Sequence, residues 1–406
     1  MIATRRAVLR GIAAAMAGPA VAIGTDADAA AWRTLDEAAT LPPDRALATL
    51  ASLTDAGLGV GRRLDLAAAR AGLMDDRALL DPTLPPDVRF AWQVRRITGS
   101  DVTLATLSRD LEAAQRALIA AATPLFDRLG ISGATIGARF ERMWRDPRWR
   151  FANDASGREQ AVDAMRATLA TIRPRLRGLI GSLPPACLDV GVRALDAAEM
   201  AANKSGYRTL PAPGVRGGYV VDLADLTRRP RFTLPSVVAH ELLPGHMAQM
   251  PMEALAHPHP LRLRYAAAFS EGWGIYAERL MATDGLFASP QDRLGHIHWM
   301  LFRIGRGRAD VAIHVHGQSP DQAQAAMRET MGEPAYFAPF STDIARIVAA
   351  PAIRAGEAWL PLHLTQARPR DRARWPAYHM ALLRWGRIRT EQIAAAVHAE
   401  RSLSGG

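Results

Sequence analysis

The helical periodicity of the apolar residues constrains the fold more than any other feature of this sequence. Between residues 104 and 121, apolar side chains recur in alternating steps of three and four, at Leu104, Leu107, Leu111, Ala114, Leu118 and Ala121. This spacing places them on one face of an α-helix. Proline pairs at 42–43, 85–86 and 184–185 separate such segments, as expected at turns between helices. The sequence therefore predicts a mostly α fold.

One short segment interrupts this helical pattern near the middle of the chain. Two glycines, Gly217 and Gly218, precede the β-branched and aromatic stretch 219–221. That composition predicts a strand. The next helix should begin near Pro235, because proline is favoured at the first helical position. We therefore expect one small β-sheet, directly before a helix.

The histidines divide the chain into two unlike halves. All eleven lie between His240 and His398. We therefore predict a helical N-terminal half, residues 30–215, and a half that carries chemistry, residues 216–406. Cys187 is the only cysteine, which excludes an internal disulfide and a metal cluster held by thiolates.

Residues 1–29 have the features of a signal peptide. The pair Arg5-Arg6 precedes the apolar run 8–23, and the segment 27–29 offers the small residues that a signal peptidase accepts. An arginine pair followed by Val-Leu favours the twin-arginine type of signal over a general secretory signal. In either case the mature protein would begin near Ala30 and work in the periplasm or outside the cell.

The charge pattern argues against nucleic-acid binding, and the hydropathy argues against membrane insertion; an acidic substrate or an anionic membrane surface stays open as a partner. The formal net charge is +10, and Lys204 is the only lysine among the basic residues. The arginines are intermixed with Asp and Glu, as on a solvated surface, and do not form the basic patches of nucleic-acid binders. No run of 18 apolar residues occurs, so stable membrane insertion is not expected.

The string His240-Glu241-Leu-Leu-Pro-Gly-His246 contains the residue types of a metal site. A water-activating zinc site uses two neutral imidazoles, a third ligand and a carboxylate beside the open position. The second histidine follows the first by six positions, which places them about 240° apart on a straight helix. Pro244 and Gly245 supply a distortion that would bring them together. Alternatively, Pro-Gly ends the helix and His246 lies in a loop.

A second string, residues 269–278, surrounds Glu271 with large apolar side chains. We predict one helix over 261–281 and burial of this glutamate among Phe269, Trp273, Ile275 and Tyr276. A buried carboxylate requires a partner, which a metal ion provides. The alternative is a salt bridge in the core to one of the many arginines.

The two strings together resemble a bacterial family, catalogued as domain of unknown function 885, that is grouped with the gluzincin metallopeptidases. HELLPGH and EGWGIYAE are similar to its HExxPGH and EGW signatures, and the resemblance covers about 217–368. It implies a large helical metallopeptidase-like fold, with the small sheet beside the active-site cleft, and a peptide substrate. It also implies a Zn²⁺ ion bound by His240, His246 and Glu271. Glu241 would be the general base that deprotonates zinc-bound water.

Further residues match this family outside the two strings. Arg306, Asp310 and His314 lie at i, i+4 and i+8 on one helix face, as in a family stretch that would line the cleft. Arg306 or His314 could stabilise an oxyanion or bind a carboxylate, with Asp310 orienting either neighbour. We expect the substrate along the edge strand near Tyr219. The alternative for the Arg-Asp-His face is an ion-pair ladder on the protein surface.

The sequence also departs from the family pattern. Met247 stands where the family often has a second histidine. After Pro351 the family usually has Gly-Gln-Ala and then a tyrosine, whereas this chain has Ala-Ile-Arg354 and then Glu357. Two alternatives to a zinc peptidase therefore stay open. One is a catalytically impaired peptide-binding protein of the same fold, and the other is a zinc hydrolase of a non-peptide amide or ester.

Overall fold

Helices form most of the protein, as the apolar periodicity predicts. The structure, a computed structural model, describes residues 25–212, 214–333 and 339–404. Helix accounts for 70% of these described residues and strand for 4%. The helices before the sheet region are α1 Asp26–Ala38, α2 Pro43–Ala51, α3 Val60–Leu79, α4 Pro86–Thr98, α5 Leu104–Arg128, α6 Ile136–Arg145, α7 Ala155–Ile172, α8 Leu176–Leu179 and α9 Pro185–Leu188. The helix inside the sheet region is α10 Ala197–Ala201. The later helices are α11 Leu234–Glu241, α12 His246–Ala256, α13 Pro260–Tyr265, α14 Phe269–Thr283, α15 Pro290–His314, α16 Pro320–Met331, α17 Phe340–Ala349, α18 Ile353–Ala367, α19 Trp375–Leu383 and α20 Ile393–Ser404.

Local sequence signals fix where many of these helices begin. The second proline of each predicted pair starts a helix, at Pro43, Pro86 and Pro185, where its missing N–H costs nothing. Thr103 caps α5 with its side-chain oxygen, which accepts a hydrogen bond from the backbone N–H of Thr106. The predicted helix over 104–121 is therefore confirmed and extends to Arg128.

Three short strands form the sheet that the sequence predicts. They are β1 Val190–Ala194, β2 Tyr207–Thr209 and β3 Gly217–Val221, arranged in the order β1-β3-β2. Strand β1 runs parallel to β3, and β2 runs antiparallel to it. Tyr219 therefore lies on the central strand, and the expectation of an edge strand there is wrong. The strand prediction overlooked β1, whose pairing with β3 depends on a segment far back in the sequence.

The core is built across both predicted halves of the chain. The long helix α15 packs against α5 on one side and against α18 on another. Phe126 and Met165 of the first half share one apolar cluster with Trp273 and Leu301 of the second half. No helix in the described part of the chain combines the length and the apolar character that a membrane span requires.

The predicted signal peptide lies mostly outside the described residues, because its arginine pair and apolar run fall within 1–24. The predicted cleavage segment 27–29 lies in helix α1. There the Asp28 carboxylate accepts a hydrogen bond of 2.9 Å from the backbone N–H of Gly59. The hydroxyl of Thr25 donates to the carbonyl of Gly57 at 3.1 Å. Residues at the predicted cleavage site thus contribute to how α1 docks on the loop before α3.

Candidate metal centre

The two histidines of the HELLPGH string lie on separate helices. Helix α11 ends at Glu241, the Leu243–Pro244 peptide bond is cis, and α12 begins at His246. Gly245 is required at this break, because a Cβ atom there would lie 1.9 Å from the carbonyl oxygen of His240. The expected distortion is therefore a complete helix break. His246 starts the next helix and does not lie in a loop.

Glu271 lies on α14, which is shorter than the sequence predicts. The helix expected over 261–281 is in fact two helices, α13 and α14, with a break at 266–268. The break has a tertiary cause, since the N–H of Ala268 donates to the carbonyl of Ile97 at 3.2 Å. The Glu271 side chain keeps 31% of its surface exposed, so its predicted burial is only partial.

The three predicted ligands lie together. One ligand atom from each of His240, His246 and Glu271 can be chosen so that all lie within 4.8 Å of one another. The Nε2 atoms of the two histidines are 3.5 and 3.4 Å from the two oxygens of the Glu271 carboxylate. The guanidinium of Arg208 is farther, at 3.8 Å. The main neighbours of Glu271 are therefore imidazoles, not an arginine of the core.

The chemistry of this donor set fits a divalent metal ion. His246 is fully buried, and neither of its ring nitrogens has a hydrogen-bond partner within the described residues. Burial lowers the pKa of His246, which favours the neutral imidazole that a metal requires. Burial raises the pKa of Glu271, but the two adjacent imidazoles, His240 and His246, together hold it well below its usual value. Two imidazole nitrogens and one carboxylate form a common ligand set for such ions.

A buried chain of polar groups orients His240 from behind. The Nδ1 atom of His240 is 2.7 Å from Glu278 Oε1, and Glu278 is 1% exposed. Ser236 donates to Glu278 Oε2 at 2.5 Å, and the same hydroxyl lies 3.2 Å from His296 Nδ1. A carboxylate behind a ligand histidine fixes its ring and raises its basicity. Burial and the charge of Arg303 lower the pKa of His240, but hydrogen bonds with Glu271 and Glu278 raise it to about 9.

Small and aromatic residues of the EGWGIYAE string hold the two segments together. The indole N–H of Trp273 donates to the carbonyl of Pro244 at 2.9 Å. Gly274 lies against the ring of His240, and a Cβ atom there would come within 2.7 Å of its Cε1. The second string thus supplies a predicted ligand, Glu271, and a hydrogen bond from Trp273 that stabilises the helix break. Its Gly274 leaves room for the ring of His240.

Glu241 points to the same site and pairs with an arginine that sequence reasoning missed. The Nε–H of Arg208 donates to Glu241 Oε2 at 2.6 Å. Burial raises the pKa of Glu241, but the charges of Arg208, His240 and His246 together lower it below its usual value, so the carboxylate is ionised at neutral pH. Arg208 lies on β2, directly opposite Tyr219 of β3, so both side chains share one face of the sheet.

Tyr219 is nearly buried beneath Arg208, with 5% of its surface exposed. Burial raises the pKa of its hydroxyl, and the charge of Glu241 raises it further. The tyrosine therefore stays neutral and belongs to the wall of the site nearest Glu241. Its predicted contact with substrate stays a prediction.

All three residues of the Arg-Asp-His face lie on one helix, α15, as predicted. Their polar partners, however, lie on different segments of the chain. Asp310 is fully buried and accepts hydrogen bonds of 3.0 Å from the N–H groups of Ala352 and Ala355, at the start of α18. Burial raises the pKa of Asp310 to about 6. His314 Nε2 is 3.0 Å from the carbonyl oxygen of Ile347.

The burial of the Arg-Asp-His face argues against the alternative of an ion-pair ladder on the protein surface. Arg306 is 7% exposed and Asp310 is not exposed at all, so a ladder of ion pairs on the surface is not what these residues form. Arg306 lies 3.7 Å from Asp343 and packs over the ring of Phe302. A direct role of Arg306, Asp310 or His314 toward substrate stays a prediction.

Comparison with known proteins identifies the family and the fold. A family model described as a bacterial protein of unknown function (DUF885) matches residues 2–388. A crystal structure of a candidate lipoprotein from Colwellia psychrerythraea aligns with a TM-score of 0.69 and 18% identity, covering 92% of this chain and 70% of that chain. A candidate lipoprotein of unknown function from Shewanella oneidensis aligns with a TM-score of 0.57 and 17% identity, covering 94% and 73%. No curated protein matches the sequence. The chain therefore belongs to the bacterial DUF885 family, whose function is unknown.

Proposed function

We propose that this protein is a zinc-dependent peptidase of the gluzincin kind. The observation that carries the proposal is the convergence of His240, His246 and Glu271, with Glu241 beside them. Two imidazoles and one carboxylate are the protein ligands of many catalytic zinc sites, which keep a further position open. The carboxylate behind His240 supports the same proposal, since such a partner is usual for a histidine that binds zinc.

The residues around the centre suit hydrolysis of an amide bond. A bound zinc ion would activate water and polarise the carbonyl of the substrate. Glu241 would accept a proton and pass it to the leaving amine. Its Oε2 atom is held by Arg208, which leaves Oε1 to carry the proton. Arg208 thereby keeps the base ionised and fixes the plane of its carboxylate.

We also propose that the chain is exported. The N-terminal pattern of an arginine pair followed by an apolar run supports this. Both solved structures compared above are described as candidate lipoproteins, a class of exported proteins. Changing Arg5 and Arg6 together to Lys should retain the precursor in the cytoplasm if a twin-arginine signal directs export. Undiminished export of that variant would favour a general secretory signal.

The test of the peptidase proposal measures metal and turnover together. Protein purified without chelator should contain about one zinc per chain by elemental analysis. Glu241→Gln should keep its zinc and lose peptide hydrolysis by about 10²- to 10⁴-fold, because an amide cannot accept the proton. Glu112→Gln, at a half-exposed position of α5, is the matched control and should behave like the wild type.

Each contrary outcome has its own meaning. Zinc retained in His240→Ala, His246→Ala and Glu271→Ala would contradict the site. Stoichiometric zinc with binding but no cleavage of a peptide library would indicate the impaired peptide-binding protein. Cleavage of ester or non-peptide amide substrates alone would indicate the other hydrolase class.

A further inference from the structure

One buried arginine beside the metal centre has no carboxylate partner. Arg303, on α15, is 7% exposed, and its Nε–H has no hydrogen-bond partner within the described residues. Its guanidinium carbon lies 5.2 Å from the ring centre of Trp299 and 5.8 Å from that of Phe302. Aromatic faces hold the cation in place but do not neutralise it. A buried arginine normally has a paired carboxylate.

The surroundings of Arg303 are short of negative charge. Two further arginines on this side of the site, Arg306 and Arg354, have acidic neighbours, Asp343 at 3.7 Å and Glu357 at 2.7 Å respectively. The charges of Arg303 and Arg354 lower the pKa of Arg306, after burial as the main cause, to about 10. Of these three arginines, Arg303 is therefore the one without a carboxylate within 4.0 Å among the described residues.

No aspartate or glutamate outside the described residues can be the partner of Arg303. Within those residues, no carboxylate oxygen lies within 4.0 Å of the Arg303 guanidinium, whereas Arg306 and Arg354 each have one. The remaining stretches, 1–24, 213, 334–338 and 405–406, contain no Asp or Glu. An anion that is not an acidic side chain of this chain would complete the cluster.

The helix face that carries Arg303 runs along the metal centre. One end of this face reaches the histidine helix, where His296, seven residues before Arg303, contacts Ser236 behind His240. The other end reaches α18, where Gly307, four residues after Arg303, packs against the carbonyl of Arg354. Arg303 therefore lies between the histidine helix α11 and the helix that carries Arg354.

Electrostatic effects agree with this position. The charge of Arg303 is one cause that lowers the pKa of His240, a predicted ligand. The carboxylate of Glu271, the third ligand, is among the groups that raise the pKa of Arg354. The arginine cluster and the ligands are thus close enough for their charges to interact.

We propose that Arg303, together with Arg306 and Arg354, forms a pocket that binds a carboxylate of the substrate next to the scissile bond. We call these three residues the arginine pocket. A guanidinium binds a carboxylate through paired, charge-assisted hydrogen bonds, and burial strengthens them. This inference rests on the proposed peptidase function and names its substrate class: peptides with a free C-terminal carboxylate, or with an acidic side chain, beside the bond that is cleaved.

Binding of small product analogues tests the pocket without requiring turnover. N-acetyl-leucine, N-acetyl-leucinamide and N-acetyl-glutamate α-amide would be titrated calorimetrically into zinc-free and zinc-loaded protein. The wild type should bind N-acetyl-leucine about 10- to 100-fold more tightly than its amide in both forms, as for a charge-assisted contact. Tighter binding of the glutamate α-amide would assign the pocket to an acidic side chain, and tighter binding of N-acetyl-leucine to a chain terminus.

Two variants separate the pocket from general effects. Arg303→Met should lose the preference for the acid over the amide, and Arg303→Lys should keep part of it. Arg308→Met is the matched control, since Arg308 lies on the same helix with 41% of its side chain exposed and contacts Gln115. It should keep the full preference. Because Arg303 lacks a carboxylate partner, Arg303→Met should fold, and thermal unfolding checks this.

The outcomes distinguish this inference from the peptidase proposal. Equal affinity for acid and amide in the wild type, or an unchanged preference in a folded Arg303→Met variant, would overturn the arginine pocket. If Arg303→Met fails to fold, Arg303→Lys decides the question. Lysine has one ammonium group and cannot form the paired hydrogen bonds of a guanidinium, so an undiminished preference of this variant for the acid over the amide would overturn the arginine pocket. Selective acid binding without any peptide cleavage would support the pocket while contradicting the peptidase.

Discussion

Two buried arginines in this protein have opposite surroundings. Arg389, fully buried where the C-terminal segment meets the N-terminal helices, donates to Asp75 at 2.9 Å, to Glu391 at 2.8 Å, and to the carbonyls of Arg96 and Tyr265 at 2.9 and 3.0 Å. Arg303, beside the candidate metal centre, has no such partners within the described residues. The same residue type is thus a structural hub in one region and an unpaired cation in the other.

This difference shows that a buried arginine affects the stability of the fold differently in the two regions. A buried charge with a complete set of partners holds the elements around it in register, and removing it leaves those partners unpaired. A buried charge without partners lowers stability, and a protein retains it where a ligand completes the pairing. The contrast therefore predicts that the same substitution, Arg to Met, destabilises the fold strongly in one region and hardly at all in the other.

The largest expected effect is that of Arg389→Met. It would leave the Asp75 carboxylate with only Arg95, at 3.0 Å, as a charged partner, and free two backbone carbonyls. We expect a loss of about 3–5 kcal/mol in the free energy of unfolding, measured by urea denaturation. Arg372→Met, at a position with 57% of the side chain exposed, should change it by less than about 0.5 kcal/mol. A loss below about 1 kcal/mol for Arg389→Met would remove the contrast.

An intermediate effect is expected for Glu278→Gln in the candidate metal centre. The amide keeps the shape but not the charge that orients His240 and raises its basicity. Zinc affinity, measured by competition with a chelator, should fall about 10- to 100-fold, or about 1.4–2.8 kcal/mol. Glu112→Gln, at a half-exposed position, is again the control and should leave zinc affinity unchanged. Unchanged affinity would mean that Glu278 only fills space behind the histidine.

The smallest expected effect is on the stability of Arg303→Met. Because no carboxylate loses its partner, the free energy of unfolding should change by at most about 1 kcal/mol, in either direction. Urea denaturation at matched pH measures this beside Arg389→Met. A loss as large as that of Arg389→Met would show that Arg303 is a structural residue, and the comparison between the two regions would fail.

Much of the candidate site follows from local sequence. Short stretches of sequence identify the two histidines, Glu241 and Glu271. The signals are the spacing within the HELLPGH string and the apolar residues on either side of Glu271. The helix break is also local, since Pro244 and Gly245 determine it. The strand at 219–221 and the helix start near Pro235 are local signals of the same kind, and both are confirmed.

The remaining features depend on contacts that are distant in sequence. Arg208 lies 33 residues before Glu241 and is one arginine among many, so no local pattern singles it out. Asp310 caps the start of α18, which is 42 residues away from it along the chain. Glu278 had a usable signal, because it follows Glu271 by seven residues and so shares its helix face.

The three predicted ligands are contributed by three different helices, one ending at Glu241, one beginning at His246 and one beginning at Phe269. An ion bound there would bind the folded chain and not the unfolded one, so folding would obey mass action with free metal. Each tenfold rise in free zinc above the dissociation constant would add about 1.4 kcal/mol to the stability of the fold. The melting temperature of this protein would then report the free zinc concentration around it.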